Sequence, residues 1–433
     1  MTAVPPLYEV DGRGRLTLRP NPAQLAVQDS RARITALICG TGAGKTSWGP
    51  WWTYFLVYGD GVKPGLGGGD YLAVSATYKL MTRKMLPELT SVFCHTLNRG
   101  RYWPSSQIME LADPYGRFLA KSASDQMWGR IILGSAQNSD SLESATAKGA
   151  WCDECGQDGF RLESWQAILR RIGFYLGPAF LGTTPYNLGW LKTEILDRWL
   201  AGDPDYLVIQ APSTVNPAYS VAEYERARRT MAAPKFNMFY NGLFDRPEGL
   251  IYKSFTDDLL VDDFEIPQGW PVWVGLDFGA VHTALLGIAR NPDNGVLYIF
   301  HEKLDGDKAT KKHAAEALDW AKRYNVVAWM GGSASETQSR MDWQAEGVPV
   351  LPPIINDVEV GIDRVYEKFA TKTIRVFKSL RGMRDELGTY GREIDDNGQV
   401  TPKIKYKSKF HRLDALRYDI QAATFYDGGD LMT

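Results

Sequence analysis

Two groups of residues have the types and spacing to do chemistry. The first begins in "ITALICGTGAGKTSWGPWW", where an apolar run breaks into glycines, then a Lys-Thr pair, then a helix-like segment. In such a loop backbone N–H groups wrap phosphates, a Lys contacts the β/γ oxygens and a Ser or Thr holds Mg²⁺. Here Gly40, Thr41, Gly42, Ala43, Gly44, Lys45 and Thr46 fill those places, although Cys39 stands where G-x-x-x-x-G-K-[ST] has its first glycine. Downstream, "KGAWCDE" reads as a strand ending in Asp153-Glu154. An ATPase needs one such carboxylate for the Mg²⁺ shell and another to position water. "FLGTTPYN" then ends a strand in Thr183-Thr184, beside the expected γ-phosphate. Gln24, in "RPNPAQLAVQDS", is placed to read an adenine edge. These four elements in this order predict an ATP site.

The second group is acidic. Asp277 ends the apolar strand "PVWVGLD", and Asp414 flanks the apolar face of the helical stretch "KFHRLDALRYDIQAATF". A carboxylate in the first position is costly unless it meets a cation or a partner; capping the turn "DFGA" is the competing reading. Together the two acids would begin a divalent-metal site for phosphodiester hydrolysis. Near them, "GREIDDNGQVTPKIKYKSKFH" reads as a hairpin turning at Asp396-Asn397-Gly398, with Lys403, Lys405, Lys407 and Lys409 on one face at period two. That face suits either phosphate contacts or protection of an edge strand from aggregation. Cys152 and Cys155 form a C-x-x-C around the first acidic pair, but a zinc site would need two more ligands. They read as small buried residues.

Elements must hold these groups. With 433 residues the chain is long enough for two domains. Its first half alternates strand-like and helix-like segments, as a mostly parallel sheet flanked by helices does. "SVAEYERARRTMAAPKFNMFYNG" is helical, a lid at about 220–245. The predicted boundaries are an ATPase domain over 1–245, a linker over 246–268 and a second domain over 269–433. The second domain opens with three consecutive strands, the last two joined by "NPDNG", followed by helix, strand and helix. That is the order of an RNase H-like fold.

Bulk properties narrow the class. A content of 44% hydrophobic and 23% charged residues fits a globular protein. No apolar run approaches the ~20 residues that span a bilayer, so no membrane partner is expected. The first residues lack a signal pattern, and four cysteines fit a reducing cytosol. Net charge is −2, which neither requires nor excludes nucleic acid.

The ordered set "PAQLAVQDS", "CGTGAGKT", "KGAWCDE", "LGTTP", "FDRPEGLIYKSF", "GWPVWVGLDFG" and "HRLDALRY" resembles the large terminase subunit of tailed bacteriophages, from Gln24 to about Phe425. The resemblance implies an ASCE-type P-loop ATPase fused to an RNase H-like nuclease, driving double-stranded DNA into a procapsid and cutting concatemeric DNA. It implies ATP with Mg²⁺ at Thr46 and Asp153, Glu154 as catalytic base, Thr183-Thr184 as coupling element, and Gln24 as adenine sensor. It implies Mg²⁺ or Mn²⁺ at Asp277 and Asp414. Its implied partners are DNA, a portal protein, a small terminase subunit and a homo-oligomeric ring, expected to be pentameric. The implied location is the host cytoplasm, transiently at the portal and outside the mature virion.

The chain departs from that pattern twice. "SDSLESATAK" lacks the Arg often found before the Asp-Glu strand, leaving Lys148, Arg130 or an arginine elsewhere in the chain as substitutes. "VVAWM" ends in Gly331-Gly332 where a middle nuclease acid belongs. Glu336, at the start of the next helix, is the expected replacement, with Asp342 and Glu302 in reserve. Its competing role is helix-dipole capping. A motor with an inactive nuclease-like domain, and a helicase or repair ATPase with a fused nuclease, are the alternatives. No second set of helicase motifs supports the last.

Overall fold

The computed structural model describes residues 5–137, 146–279, 282–395 and 399–426. The chain forms two compact units, Met1–Pro247 and Glu248–Thr433.

In the first unit a short hairpin, β1 (Tyr8–Val10) and β2 (Leu16–Leu18), precedes an eight-stranded sheet. Its strands are β3 (Ile34–Cys39), β4 (Asp70–Ser75), β5 (Gly100–Trp103), β6 (Ile108–Leu111), β7 (Gly129–Ser135), β8 (Ala150–Asp153), β9 (Ala179–Thr183) and β10 (Tyr206–Ala211). They lie in the order β10-β3-β9-β8-β4-β7-β6-β5. All neighbouring pairs are parallel except β7-β6 and β6-β5. "ITALIC" and "AWCD" are buried throughout because both faces of a parallel sheet are covered. The strands expected at "ITALICG", "KGAWCDE" and "FLGTTPYN" are present as β3, β8 and β9, and β5 and β6 form an antiparallel edge. The helix Lys45–Tyr58 lies against β8 and β9; a side chain at Gly49 would collide with the fully buried Trp151 ring. Chain order thus puts the carboxyl ends of adjacent β3, β9 and β8 side by side, the place where open α/β sheets bind ligands.

The second unit holds a seven-stranded sheet of β11 (Leu260–Val261), β12 (Pro271–Phe278), β13 (His282–Arg290), β14 (Leu297–Gly306), β15 (Asn325–Gly331), β16 (Val350–Leu351) and β17 (Ile374–Phe377). The order is β11-β17-β14-β13-β12-β15-β16. β12, β13 and β14 are consecutive antiparallel neighbours, and β15 joins β12 in parallel, which is the RNase H-like order. The helix His411–Phe425 crosses the face formed by β12 and β13.

Two expectations change here. Residues 248–268, expected in a linker, belong to the second unit: Tyr252 is fully buried, Ile251 donates to the Tyr390 carbonyl, and β11 pairs with β17. The lysine ribbon is also shorter than expected. β18 (Arg392–Ile394) pairs with β19 (Val400–Ile404), but Tyr406 breaks the extended run and Lys407–Lys409 form a 3-10 turn. Period two therefore ends before Lys407, and the four lysines do not share one strand face. The expected turn at Asp396-Asn397-Gly398 lies outside the described residues.

Candidate functional site

At the phosphate loop, β3 ends with buried Cys39 and the chain turns at Gly40. The sequence pattern placed the missing glycine at Cys39, yet Gly40 is where space is lacking. A side chain there would come within 2.3 Å of Ser213 and the Tyr240 carbonyl. Gly42 and Gly44 have φ of 78° and 92°, and the helix Lys45–Tyr58 starts with no side-chain cap. Uncapped N–H groups at a helix N-terminus are an anion site when flanked by such a loop.

Side chains brace that loop from two directions. The Gln24 amide accepts from the Asn21 N–H and donates to the Gly44 carbonyl, while Asn21 donates to the Ala43 carbonyl. Gln24 is thus part of a helix capping box, and its amide is committed to the loop where an adenine-reading role was expected. From the other side, Thr41 donates to the Phe239 carbonyl and Asn216 donates to the Gly42 carbonyl. Tyr219 stands against Gly42. Of these contacts, the sequence pattern indicates only that a helical segment beyond residue 220 covers the site.

Lys45 is buried and donates to the carbonyls of Cys39 and Gly40 and to the Thr184 hydroxyl, at 2.9–3.0 Å. The Thr46 hydroxyl donates to both oxygens of Asp153 at 3.1 Å. Burial and the neighbouring Glu154 push the Asp153 carboxyl up to about 7, against the pull of Thr46 and Lys45. A buried acid so disfavoured as an anion fits a place for a divalent cation. The residues therefore suit ATP with Mg²⁺: loop N–H groups and Lys45 for phosphates, Thr46 and Asp153 for the ion.

Glu154 has the rare non-glycine φ of 54°, which turns its carboxylate out of the strand. It accepts from the Tyr186 hydroxyl at 2.9 Å and pairs with Lys84 at 3.2 Å. Burial pushes its carboxyl up, but Lys84, Lys45 and Tyr186 outweigh that and hold it below the usual carboxylate range. Thr183 accepts from the Gly156 N–H and donates to the Thr184 carbonyl, tying β9 to the loop after Glu154. Lys84 carries no sequence signal; it comes from "MTRKMLPELT", a helical stretch with no motif. The cations that were expected there are elsewhere. Arg130 pairs with Asp70 and Lys148 donates to the Leu66 carbonyl, both at the amino ends of β4, β7 and β8, opposite to the loop. Cys152 and Cys155 are buried and free, and burial pushes both thiols far up, as expected of inert residues.

In the second unit, Asp277 on β12 and Asp414 on the C-terminal helix are brought together through His411, which is bonded to Asp277 and lies three residues before Asp414 on that helix. Asp277 is bonded to His411 Nδ1 at 2.7 Å, and this bond raises the imidazole. Asp414 pairs with Arg417; burial raises its carboxyl most, while Arg417 opposes the rise. Burial raises the Tyr418 phenol most, and the charges of Asp277, Asp414 and Glu336 add to that rise while Arg417 opposes it. The sequence did not single out His411, although it lies one helical turn before Asp414.

The glycines at the end of β15 have a steric reason. A side chain at Gly331 would meet the Leu276 carbonyl at 2.3 Å, and Gly332 has φ 73° with Phe278 and Arg340 against it. Buried Arg340 donates to the carbonyls of Gly331 and Ser333. Glu336 sits at the N-cap position of the following helix and accepts from the Ser333 N–H. Glu302 is committed elsewhere: it accepts from the N–H groups of Gly382 and Met383 and pairs with Arg412. Asp342 accepts from Gln338 on an exposed face. Among the described residues, no three acidic, imidazole or thiol groups converge to hold a metal ion. The residues as arranged do not form a metal cage.

No family model matches the chain. The large terminase subunit of Escherichia phage T5 is 26% identical over 248 residues, covering 55% of this chain and 56% of that protein. The match thus spans about half the length of this curated relative. Among solved structures, the large terminase of HK97 bacteriophage covers 94% of this chain and 95% of its own, at 16% identity and TM-score 0.47. The large terminase of a thermophilic bacteriophage covers 94% and 100%, at 17% identity and TM-score 0.44. Among the described residues, no helix is long and apolar enough to cross a membrane.

Proposed function

We propose that this chain is the large terminase subunit of a tailed phage, an ATP-driven translocase of double-stranded DNA with an endonuclease unit. The observation that carries the reading is the loop itself: Lys45 tied to Thr184, and Thr46 tied to Asp153, at the carboxyl ends of adjacent strands. The partial match to the phage T5 protein supports the same assignment.

Bound ATP and Mg²⁺ supply the transferable phosphoryl group and its charge neutralisation. The chain does the rest. Loop N–H groups and Lys45 would hold phosphate oxygens, and Thr46 and Asp153 would hold the ion. Glu154, kept ionised by Lys84, receives a proton from the attacking water. Thr183-Thr184 bond both to Lys45 and to the loop after Glu154, so a change at the phosphates reaches β9 directly. Turnover of ATP by the full chain, stimulated by duplex DNA, tests this half; no turnover with or without DNA would end it.

For the second unit, the RNase H-like strand order and the neighbouring acids Asp277 and Asp414 support cleavage, with Glu336 proposed as third acid. Lys403, Lys405, Lys407 and Lys409 are proposed as phosphate contacts. A portal, a small terminase subunit and a ring of copies in the host cytoplasm complete the reading. One observation favours a second reading, a motor whose nuclease-like unit only binds DNA: the place of the middle acid is closed by backbone and Arg340. Incubation of supercoiled plasmid with Mg²⁺ or Mn²⁺ separates them, since nicking lost in Asp277→Asn supports the first and absence of nicking supports the second.

A further inference from the structure

The lysine-rich stretch ahead of the C-terminal helix contains a residue that the cleavage reading does not use. Tyr406 has φ 53° and ψ 42°, left-handed backbone that a bulky side chain rarely adopts because its Cβ crowds the carbonyl. Such conformations persist where neighbours impose them, and they cluster at functional sites. Here Lys405 donates its N–H to the Gly391 carbonyl, and Lys409 donates to the Tyr406 carbonyl to close the 3-10 turn. The result is a ring that stands 53% exposed. The Lys409 ammonium lies 4.3 Å from the ring centre and that of Lys405 5.4 Å. The Lys407 carbonyl accepts from the Phe410 N–H, and the Phe410 carbonyl accepts from the Asp414 N–H. The turn that carries the ring therefore leads directly into the helix turn that carries Asp414.

An exposed tyrosine that only filled space would need neither the strained turn nor this position. Proteins hold single strands by stacking bases on aromatic faces while nearby cations take the phosphates; here an ammonium rests over the ring, and a base stacking there would displace it toward the phosphate. We propose that Tyr406 is a stacking platform for an unpaired DNA base at the C-terminal site, with Lys405, Lys407 and Lys409 holding the flanking phosphates. In an intact duplex the base faces are covered by their neighbours, so the ring contributes nothing there while the lysines still do. The inference rests on the C-terminal unit acting on DNA and adds what state of DNA it selects, namely a locally opened strand.

The test uses the full chain in EDTA, so that binding is read without cleavage. Two probes are compared: a fluorescent duplex with a short internal unpaired thymine tract, and the same duplex fully paired. Tyr406→Ala is expected to weaken binding of the opened probe about tenfold and to leave the paired probe unchanged; Tyr406→Phe is expected to match the wild type. Neutralising Lys405, Lys407 and Lys409 together weakens both and flattens the salt dependence. Equal affinities of Tyr406→Ala and wild type for the opened probe would overturn the proposal, as would equal losses on both probes. Far-UV circular dichroism of each variant shows whether the fold is kept, and Tyr406→Gly, which removes ring and strain together, must behave as the Ala variant. Plasmid nicking is measured separately. Ring-dependent binding without any nicking would remove the nuclease reading alone, and nicking without ring-dependent binding would remove this inference alone.

Discussion

At the phosphate loop each charged group is held by a neighbour that nucleotide chemistry would also use. Lys45 rests on carbonyls at the end of β3, Thr46 on Asp153, and Glu154 on Lys84 and Tyr186. In the second unit the acids are held by groups of the chain itself, Asp277 by the His411 imidazole and Asp414 by the Arg417 guanidinium. The first site is preassembled by short loops on three adjacent strands. The second draws on a strand, a distant helix and a helix cap, and nothing local fixes their separation. The first site gathers at the ends of paired strands of one sheet, whereas the second joins a strand, a helix and the start of another helix.

The largest effect should come from breaking the formed site. Lys45→Ala is expected to lower ATP turnover by about 10²–10³-fold, as for other lost transition-state donors, while leaving any plasmid nicking unchanged. Glu154→Gln should do the same to turnover but keep nucleotide binding, because Thr46 and Asp153 remain. Measured turnover near the wild-type rate in either variant would contradict the assignment of the loop or of the base.

At the second site, Asp277→Asn should abolish divalent-dependent nicking, because an amide is a poor ligand for a hard cation. Glu336→Gln sharpens the contrast: loss of nicking would mean that the cap residue swings in when the ion binds, and unchanged nicking would leave it a cap. ATP turnover should be untouched in both.

A smaller effect is expected from Lys84→Ala. Lys84 lowers the Glu154 carboxyl, so its removal raises it, and a base must be ionised to act. The acidic limb of the turnover–pH profile should move to higher pH. An unmoved limb would mean that Glu154 is not the titrating base.

The last effect leaves both sites alone and concerns stability in the second unit. Asp419 is fully buried with neither oxygen hydrogen-bonded, and burial raises its carboxyl far above the ordinary range. The folded chain then binds a proton that the unfolded chain releases above about pH 4. Stability is therefore lost as pH rises from there, at up to about 1.4 kcal/mol per pH unit, until the folded carboxyl titrates. Asp419→Asn, which cannot titrate, should be more stable than the wild type at pH 8 and differ least near pH 4. Chemical denaturation at the two pH values measures it; a gap that does not widen with pH would show that Asp419 is solvated.

Much of the molecule is legible in its residues read in order. Buried strands such as "ITALIC" and "AWCD" announce themselves by unbroken apolar runs, and the phosphate loop by residues adjacent in the chain. Their geometry is local, so spacing along the chain sets it. The lysine ribbon failed for the opposite reason: period two assumes extended backbone, and a left-handed Tyr406 ends it.

Residue order alone therefore specifies which strands form the first unit's parallel core. It also places Lys45, Thr46, Asp153 and Glu154 at strand ends, and Asp277 and Asp414 on a strand and a helix of the second unit. Which groups answer them is settled only by tertiary packing. Lys84 reaches Glu154 from 70 positions away, Gln24 is spent on the loop, and His411 reaches across 134 positions to Asp277. Packing also leaves no room for an acid at Gly331 and Gly332, because the Leu276 carbonyl and Phe278 ring occupy that space. The cause is the same in each case. A hydrogen bond or a steric collision between residues far apart in the chain is fixed by how sheets and helices stack, and no local periodicity records it.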